Sequence, residues 1–451
     1  MNQPITNLTA LQPDTLSSED FVIPVEAYIS RDYAAREYDQ LWSKVWQMAC
    51  RVEEVAKVGD FVTYDILDQS IIVVRSDQET ISAYHNVCPH RGRTLTEGCG
   101  NAKRFACKFH GWKWSLDGAN IDVLDRKDWD GTLSDEDVRL HKVKVDTFGG
   151  YVFINLDPDC EPLREYLEPA ASLLDPYEIE HMRYRWRRWI KMPCNWKVAL
   201  EAFDEGYHVA ATHAQLLDHT DDYTWSNAWG KHGNFGYFLP PDSRVTGEGS
   251  PRTHDAPRRD ITKSLADSFT NLKRDVDAFI SDSMVAAAQR VHEELPPDTP
   301  AMDAFIQMNM WMMEIDAAAG VQAPMITPEH YMVAGMDWHV FPNIVILQAP
   351  TFVLGYRARP DGMDPDSCIF EVYALDRFPE GKEPKDVVNQ HVPVLEDWPL
   401  ILQQDFQNMS QVQRGLHSRA FKGCRPNPKQ ERSVANFHRT LRTYMNLENS
   451  A

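Results

Sequence analysis

Two short pairs of cysteine and histidine constrain this chain more than any other feature of its sequence. They read Cys88-Pro-His90 and Cys107-Lys-Phe-His110, and sixteen residues separate His90 from Cys107. Four ligands in two short clips are enough to hold a metal centre between two hairpin loops. Zinc ribbons usually use C-x2-C clips, whereas each clip here combines one cysteine with one histidine.

The C-x-H and C-x2-H pattern is typical of a Rieske [2Fe–2S] centre, in which two thiolates hold one iron and two imidazoles hold the other. Gly92 and Gly111 stand beside the clips. Small neighbours let backbone N–H groups turn towards the cluster sulfurs. We therefore predict that the four clip residues bind one [2Fe–2S] cluster per chain. A structural zinc site is the alternative.

Composition narrows the classes of partner. The chain has 451 residues and a formal net charge of −21, which argues against nucleic acid and anionic membranes as partners. Of eight cysteines only two lie in clips, so a reducing compartment is expected rather than a disulfide framework. Because the first residues are polar and no apolar run has transmembrane length, we predict a cytoplasmic protein without a membrane segment.

The pattern of apolar residues and turn signals predicts three regions along the chain. Residues 1–40 are expected to form an N-terminal arm and a helix. Residues 41–157 contain short β-type runs separated by turn signals, which indicates a small all-β domain that carries the cluster. Residues 158–451 mix helical and strand patterns, so we predict an α+β catalytic domain, with a long helix that starts near Pro399.

A second group of candidate ligands lies in the stretch from Asn195 to His213. Two histidines and one carboxylate form the facial triad of non-haem Fe(II) oxygenases. His208 and His213 are five residues apart, which on an ideal helix separates their side chains by about 140°. Both can reach one metal only if the helix is irregular, so we predict a break over residues 210–212.

The third ligand should be a carboxylate far along the chain. Asp405 is the best candidate, because it lies among apolar residues of the predicted C-terminal helix, and a buried carboxylate needs a partner or a metal. Asp397 is the rival candidate, with a helix N-cap before Pro399 as its structural alternative.

Glu201, Glu205 and His208 are spaced to share one face of a helix. A carboxylate one turn before an iron ligand can hydrogen-bond an imidazole and orient it. The alternative is an acidic outer helix face.

With these motifs in order, the chain resembles the α (oxygenase) subunits of Rieske non-haem iron oxygenases, the aromatic-ring-hydroxylating family. The resemblance runs from the helix around Trp42 to Asp405 and includes Asn195-Trp196-Lys197. It implies a helix-grip catalytic domain, an antiparallel sheet with helices. It also implies cluster binding by the four clip residues and one Fe2+ per chain bound by the residues His208, His213 and Asp405.

One position departs from the family pattern. Three residues before the first iron histidine the family usually has Asp, whereas this chain has Glu205 preceded by Asp204. In the family this carboxylate bridges the cluster of one subunit to the iron of its neighbour. Carnitine-oxygenase-like members also use Glu there. The resemblance therefore implies a catalytic role for Glu205 or for Asp204 and weakens an automatic assignment to cis-dihydroxylation.

The implied protein is a terminal oxygenase that uses O2. Electrons would come from NAD(P)H through a separate reductase, directly or through a ferredoxin, because the sequence has no dinucleotide-binding fingerprint after a strand. The resemblance implies a homotrimer, with or without a β subunit. A Rieske monooxygenase or an oxidative N- or O-demethylase is the nearest alternative, and an electron-transfer or redox-sensing protein without oxygen chemistry is a more distant one.

The substrate is a small molecule that we expect to be apolar and aromatic or polycyclic. Residues 215–350 are rich in methionine and aromatic residues. Methionine fills irregular apolar cavities, although such stripes are more often core than substrate contacts.

Overall fold

The computed structural model describes residues 11–385 and 387–447. The chain forms two compact units, Ala35–Tyr166 and the combination of Met1–Ala34 with Leu167–Ala451. None of the helices within the described ranges is long and apolar enough to cross a membrane.

The first elements lie before and at the start of the smaller unit. They are β1 (Ile23–Pro24), α1 (Glu26–Ile29) and α2 (Arg31–Arg36), and a π-helical turn over Glu37–Trp42 follows. The predicted helix around Trp42 is therefore present and ends at that residue.

The smaller unit is all-β, as the alternating apolar runs predict. Its strands are β2 (Gln47–Arg51), β3 (Asp60–Ile66), β4 (Gln69–Arg75), β5 (Ile81–His85), β6 (Cys99–Asn101), β7 (Phe105–Ala106), β8 (Lys113–Trp114), β9 (Asn120–Asp122), β10 (Lys142–Phe148) and β11 (Tyr151–Asn155). Seven of them form one sheet in the order β2-β11-β10-β5-β4-β3-β6, and β7-β8-β9 form a second sheet. The β-branched run Ile71–Val74 is completely buried in β4 and supplies part of the core.

The larger unit contains most of the helices. Its helices, including α3 at the boundary, are α3 (Leu163–Leu167), α4 (Ala170–Leu174), α5 (Trp196–Glu201), α6 (Val209–Thr212), α7 (Ile261–Val276), α8 (Asp282–Glu294), α9 (Ala301–Ala319), α10 (Pro328–Ala334), α11 (Leu400–Leu416) and α12 (Arg432–Tyr444). Its strands after β1 are β12 (Arg183–Met192), β13 (Thr224–Trp229), β14 (His232–Tyr237), β15 (Asp337–Val340), β16 (Ile344–Gln348), β17 (Phe352–Asp361), β18 (Asp364–Asp376), β19 (Asn389–His391) and β20 (Gly423–Cys424).

An eight-stranded sheet organises this unit in the order β13-β14-β15-β16-β17-β18-β12-β19. Its pairs are antiparallel except for β12 with β19. Aromatic side chains attach two helical segments to the sheet. Phe203, just after α5, stacks on Tyr356 of β17 with ring centroids 3.9 Å apart, and Phe406 of α11 meets Phe370 of β18 at 5.8 Å. This arrangement agrees with the predicted helix-grip domain.

Residues 11–34 belong to the larger unit rather than to a separate arm. Two ion pairs explain this difference from the predicted division at residue 40. Asp14 pairs with Arg439 at 2.8 Å and Asp20 pairs with Arg442 at 2.7 Å, both on α12. In addition, β1 pairs with β20.

Candidate metal centres

The two clips of the smaller unit form loops of the same shape. The N–H of Cys88 donates to the carbonyl of Arg93, and the N–H of Gly92 donates back to the carbonyl of Cys88. Cys107, Gly111 and Trp112 repeat this pattern in the second loop. Gly92 and Gly111 have φ of 74° and 75°, a left-handed conformation that glycine adopts without strain.

Both sulfurs face the interior and receive backbone N–H groups. Cys88 and Cys107 are 2% exposed and pack into one apolar cluster. Burial opposes ionisation of Cys107, but the N–H groups of Phe109 and His110 outweigh it and lower the pKa of the thiol. These are the contacts that a cluster sulfur needs.

The two histidines of the clips present unused nitrogen atoms to the same place. The rings of His90 and His110 lie 4.6 Å apart, and each Nδ1 is buried without a hydrogen-bond partner. Trp112 stacks on His90 with an interplanar angle of 9° and fixes that ring. Two thiols and two free Nδ1 atoms in one pocket fit the donor set of a Rieske [2Fe–2S] cluster, so the four predicted residues come together.

A second group of ligands lies in the larger unit. His208, His213 and Asp405 each offer one atom, and the three atoms lie within 4.8 Å of one another. Asp405 Oδ1 is 2.9 Å from His213 Nε2 and 3.7 Å from His208 Nε2. His213 and Asp405 are buried, whereas His208 is partly accessible. Two imidazoles and one carboxylate fit non-haem Fe(II).

The remaining ring nitrogens already have partners. His208 Nδ1 lies 2.7 Å from Glu205 Oε1, and His213 Nδ1 lies 2.8 Å from Gln404 Oε1. Gln404 also accepts a hydrogen bond from Gln215. Because each Nδ1 is held in this way, both Nε2 atoms are directed towards Asp405. The sequence did not reveal the role of Gln404; its only signal there is its position beside Asp405.

Carboxylates make this site electrically negative. Burial lowers the pKa of His208, but the charges of Glu205 and Asp405 outweigh burial and raise it to about 9. A site that favours a proton on an imidazole also favours a divalent cation.

The local fold explains how two histidines five residues apart converge. Asn195 caps α5 by accepting the N–H of Lys197, and the helix ends at Glu201. The short α6 then ends at Thr212, so that His213 leaves helical geometry with φ −118° and ψ 45°. The break predicted over residues 210–212 is not there, because these residues are helical in α6. The chain is interrupted between Glu201 and Val209 and leaves the helix again at His213. The prediction that Glu201, Glu205 and His208 share one helix is therefore wrong, because α5 ends before two of them.

Asp204 and Asp397 do not contact the ligand group. Asp204 is buried and accepts a hydrogen bond from Ser433, and its other oxygen lies 3.7 Å from Nδ1 of His339. Asp397 is exposed in a 3-10 turn. It is not an N-cap either, since Pro399 occupies the position before α11.

A cavity of about 220 Å3 borders His208 and Asp405. Its wall includes Glu205, His208 and Asp405 together with two further carboxylates, Glu201 and Glu431. Within the described part of the chain, no lysine or arginine lines it. Burial and the charge of Glu205 raise the pKa of Glu431 to about 7, which reflects this concentration of negative charge. We call it the acidic cavity.

Glu201 has a structural role in the wall of this cavity. Its Oε2 accepts a hydrogen bond from the hydroxyl of Tyr28 at 2.9 Å, and its Oε1 lies 2.6 Å from Nε2 of His438. These contacts join α1 and α12 to the end of α5. Glu201 therefore contacts protein groups on both oxygens rather than an imidazole of the iron site.

Comparison with known proteins agrees with this geometry. The family described as ring hydroxylating alpha subunit (catalytic domain) matches residues 179–447, and the Rieske [2Fe–2S] domain matches residues 45–128. The carnitine monooxygenase oxygenase subunit of Escherichia coli (strain K12) is 29% identical over 240 residues, which cover 51% of this chain and 63% of that protein. The chlorobenzene dioxygenase subunit alpha of Cupriavidus sp. (strain PS12) is 29% identical over 248 residues, covering 47% and 52%. The matches thus span between about half and two thirds of these curated relatives.

Solved structures share the fold along nearly the whole chain. The quaternary ammonium Rieske monooxygenase CntA with L-carnitine superimposes with a TM-score of 0.63 at 18% identity, covering 96% of this chain and 99% of that one. Naphthalene 1,2-dioxygenase with indole bound gives a TM-score of 0.64 at 18% identity, covering 96% and 94%. With both ligand sets and both domains in place, the chain belongs to the ring-hydroxylating alpha subunit family and carries a Rieske [2Fe–2S] domain ahead of its catalytic domain.

Proposed function

We propose that this chain is the terminal oxygenase of a multicomponent system that hydroxylates a small organic substrate with O2. The observation that carries the proposal is the group formed by His208, His213 and Asp405, which a simple electron carrier would not need. When bound, Fe(II) at this group would supply O2 activation, and the cluster would supply single electrons from a separate reductase.

The residues around the iron ligands have distinct tasks in this proposal. Glu205 and Gln404 hold the two imidazoles in one orientation. Phe203, stacked on Tyr356, keeps the segment after α5 on the sheet. The Glu205 carboxylate lines the acidic cavity and contacts His208. An electron donor bound in this cavity can therefore pass electrons to His208 by way of Glu205.

We propose monooxygenation as the reaction type, ahead of dihydroxylation. The support is Glu205 itself, the residue type of carnitine-oxygenase-like members, and the similarity to carnitine and glycine betaine monooxygenase subunits. A substrate panel with a surrogate reductase, scored by product mass, tests this. One added oxygen or loss of a methyl group supports it, and two added oxygens contradict it.

We further propose a homotrimer in which each acidic cavity receives the cluster-bearing loops of a neighbouring subunit. Charge complementarity supports this arrangement. The loops expose Arg91, Lys108 and Phe109, and the guanidinium of Arg91 lies 5.4 Å from the centre of the Phe109 ring. A basic, aromatic tip suits a cavity that is lined by Glu201, Glu205 and Glu431.

Complementation between two inactive variants tests the electron route. Cys107→Ser removes the cluster and Asp405→Ala removes the iron site, so each variant alone should be inactive. Co-expressed chains should regain activity if electrons cross between subunits, because some hybrids pair an intact cluster with an intact iron site. Absence of any regained activity in verified hybrids would contradict the route.

The particle mass should be three times the chain mass of 51.8 kDa, and a larger mass from the native host would indicate a β subunit.

A further inference from the structure

Two tyrosines of the larger unit have hydroxyl groups that the protein itself does not use. Tyr237 lies at the end of β14 and Tyr331 lies in α10. Among residues 11–385 and 387–447, neither hydroxyl has a hydrogen-bond partner. A phenol inside a protein normally finds one.

The side chains of Tyr237 and Tyr331 lie well inside the larger unit, but neither is completely buried. Burial raises the pKa of both phenols, that of Tyr331 to about 12. Nevertheless both residues keep part of their surface accessible. Neither hydroxyl is among the completely enclosed polar atoms without a partner. Each hydroxyl is therefore accessible within a deep part of the larger unit. The elements that carry them pack together, since the Asn234 side chain on β14 donates to the carbonyls of Val333 and Ala334 on α10.

Tyr237 lies on a strand that contacts the segment before His208. Tyr237 and Phe235 are two residues apart on β14 and share one face of the sheet. The Phe235 ring is 3.5 Å from where a Cβ on Gly206 would lie, in the segment that joins Glu205 to His208. The charge of Glu205 also acts on Tyr237, which places the hydroxyl in the electrostatic reach of the iron site.

The charged residues around Tyr237 restrict the charge of any group that the two hydroxyls can bind. Asp221 and Asp222 also act on Tyr237. Asp221 accepts two backbone N–H groups, and Asp222 pairs with Arg252 at 2.7 Å, so these carboxylates do not need the phenols. Their negative potential opposes an anion at this position. Two donors in a negative environment fit a neutral oxygen acceptor.

We propose that Tyr237 and Tyr331 are specificity-determining residues that donate hydrogen bonds to a neutral oxygen of the substrate, a carbonyl, ether or hydroxyl. The inference rests on the proposed oxygenase function and deepens it. It changes the substrate from the plain apolar ring that the methionine-rich sequence suggested to an oxygen-bearing compound. When a hydrocarbon of the same shape binds, both donors stay unpaired, and a site built for hydrogen bonding discriminates strongly against such a ligand.

Equilibrium dialysis of the purified full-length chain with 1-indanone and indane tests the proposal. The two probes share a ring frame and differ in one carbonyl oxygen. We expect 1-indanone to bind at least about ten-fold more tightly than indane, the effect of one hydrogen bond in a desolvated site. Tyr237→Phe and Tyr331→Phe should each remove most of this preference, because each removes a donor that 1-indanone uses and indane leaves unpaired. The matched control is Tyr223→Phe, whose side chain is exposed at the surface.

Three outcomes would overturn the proposal: equal affinity for the two probes, no measurable binding of 1-indanone, or an unchanged preference in both phenylalanine variants. A preference for choline over its neutral isostere 3,3-dimethyl-1-butanol, unaffected by both variants, would instead indicate a cation site and would also overturn it. Dialysis does not require iron. Repeating it with Asp405→Ala therefore separates failure of this inference from failure of the oxygenase proposal. Unchanged circular dichroism and cluster absorbance show that the variants fold.

Discussion

The Oε1 atom of Glu205 lies 2.7 Å from Nδ1 of His208, while the Nε2 atom of the same ring faces Asp405 at 3.7 Å. One imidazole therefore connects the acidic cavity to the iron ligand group. Asp204, the neighbouring residue, is turned towards Ser433 and His339 instead. If this family's bridging carboxylate exists in this chain, as we propose, the geometry favours Glu205 over Asp204 for it.

Glu205→Gln should keep both metals but slow electron delivery. The amide preserves the size of the side chain and removes its charge, and loss of such an outer contact typically costs about 10- to 100-fold. Stopped-flow reoxidation of the reduced cluster in the presence of O2 measures the effect. Asp204→Asn is the matched control, with a smaller expected change. Full speed in Glu205→Gln would remove this residue from the route.

Asp405→Ala should lose the mononuclear iron and retain the cluster. Asp405 is the carboxylate that lies near Nε2 of both histidines, and a site with two imidazoles alone binds Fe(II) weakly. Metal analysis should fall from about three to about two iron atoms per chain, with unchanged cluster absorbance. Asp397→Ala is the control and should keep all of the iron. Retention of the third iron in Asp405→Ala would refute the assignment.

Gln404→Leu should weaken iron binding without changing the cluster. The substitution leaves Nδ1 of His213 without the acceptor that fixes the ring, and loss of such contacts lowers metal affinity by about 10- to 100-fold. Competition with a chelator measures the affinity. Gln407→Leu removes an exposed amide from the same helix α11 and serves as the control. Equal affinities in the two variants would mean that Gln404 does not orient His213.

The loss of folding stability at acid pH should depend on Glu371, which lies among Arg187, Arg357 and Arg359. Burial raises the pKa of this carboxyl, but the three guanidinium groups outweigh burial and lower it to about 2, against 4.5 for an ordinary glutamate. A depressed carboxyl pKa stabilises the folded state above pH 4.5, and this contribution disappears as pH falls towards 2. The contribution is of order 3 kcal/mol.

Urea unfolding followed by circular dichroism at pH 7 and from pH 5 to pH 3 tests this dependence. Glu371→Gln should destabilise the chain by about 3–5 kcal/mol at pH 7, because it removes a buried negative charge from among three guanidinium groups. It should also flatten the acid dependence. Glu396→Gln, at an exposed site, should do neither. If the free energy of unfolding of Glu371→Gln falls between pH 5 and pH 3 as it does in the unaltered chain, other carboxyl groups control the acid dependence.

Salt should slow electron transfer between subunits if the basic tip enters the acidic cavity. The Debye length falls from about 10 Å at 0.1 M salt to about 3 Å at 1 M, which screens exposed charges during docking. Cluster reoxidation should slow over this range, and Arg91→Gln should reduce the salt dependence. Lys142→Gln removes one exposed positive charge from β10 and is the control. A rate independent of salt in the unaltered chain would contradict electrostatic docking.

Much of the fold could be predicted because local patterns are strong where the chain is buried on one side. The short β-type runs predicted over residues 41–157 appear as β-strands, and residues 158–451 combine helices with strands as predicted. The run from Val340 to Leu347 differs from its local pattern. It reads as one strand, but Phe341, Pro342 and Asn343 make the corner between β15 and β16. Apolar composition does not distinguish a buried strand from a buried corner.

The sequence by itself determined the two groups of candidate ligands. Cysteine and histidine clips have a characteristic spacing, and a carboxylate among apolar neighbours must have a partner, so the cluster residues and Asp405 could be named in advance. Only the tertiary structure decided the contacts across long separations. Gln404 reaches His213 across 191 residues, and Tyr28 reaches Glu201 across 173 residues. Such pairs carry no local pattern, because their proximity depends on how α1, α5 and α11 pack together and not on the residues beside them in the chain.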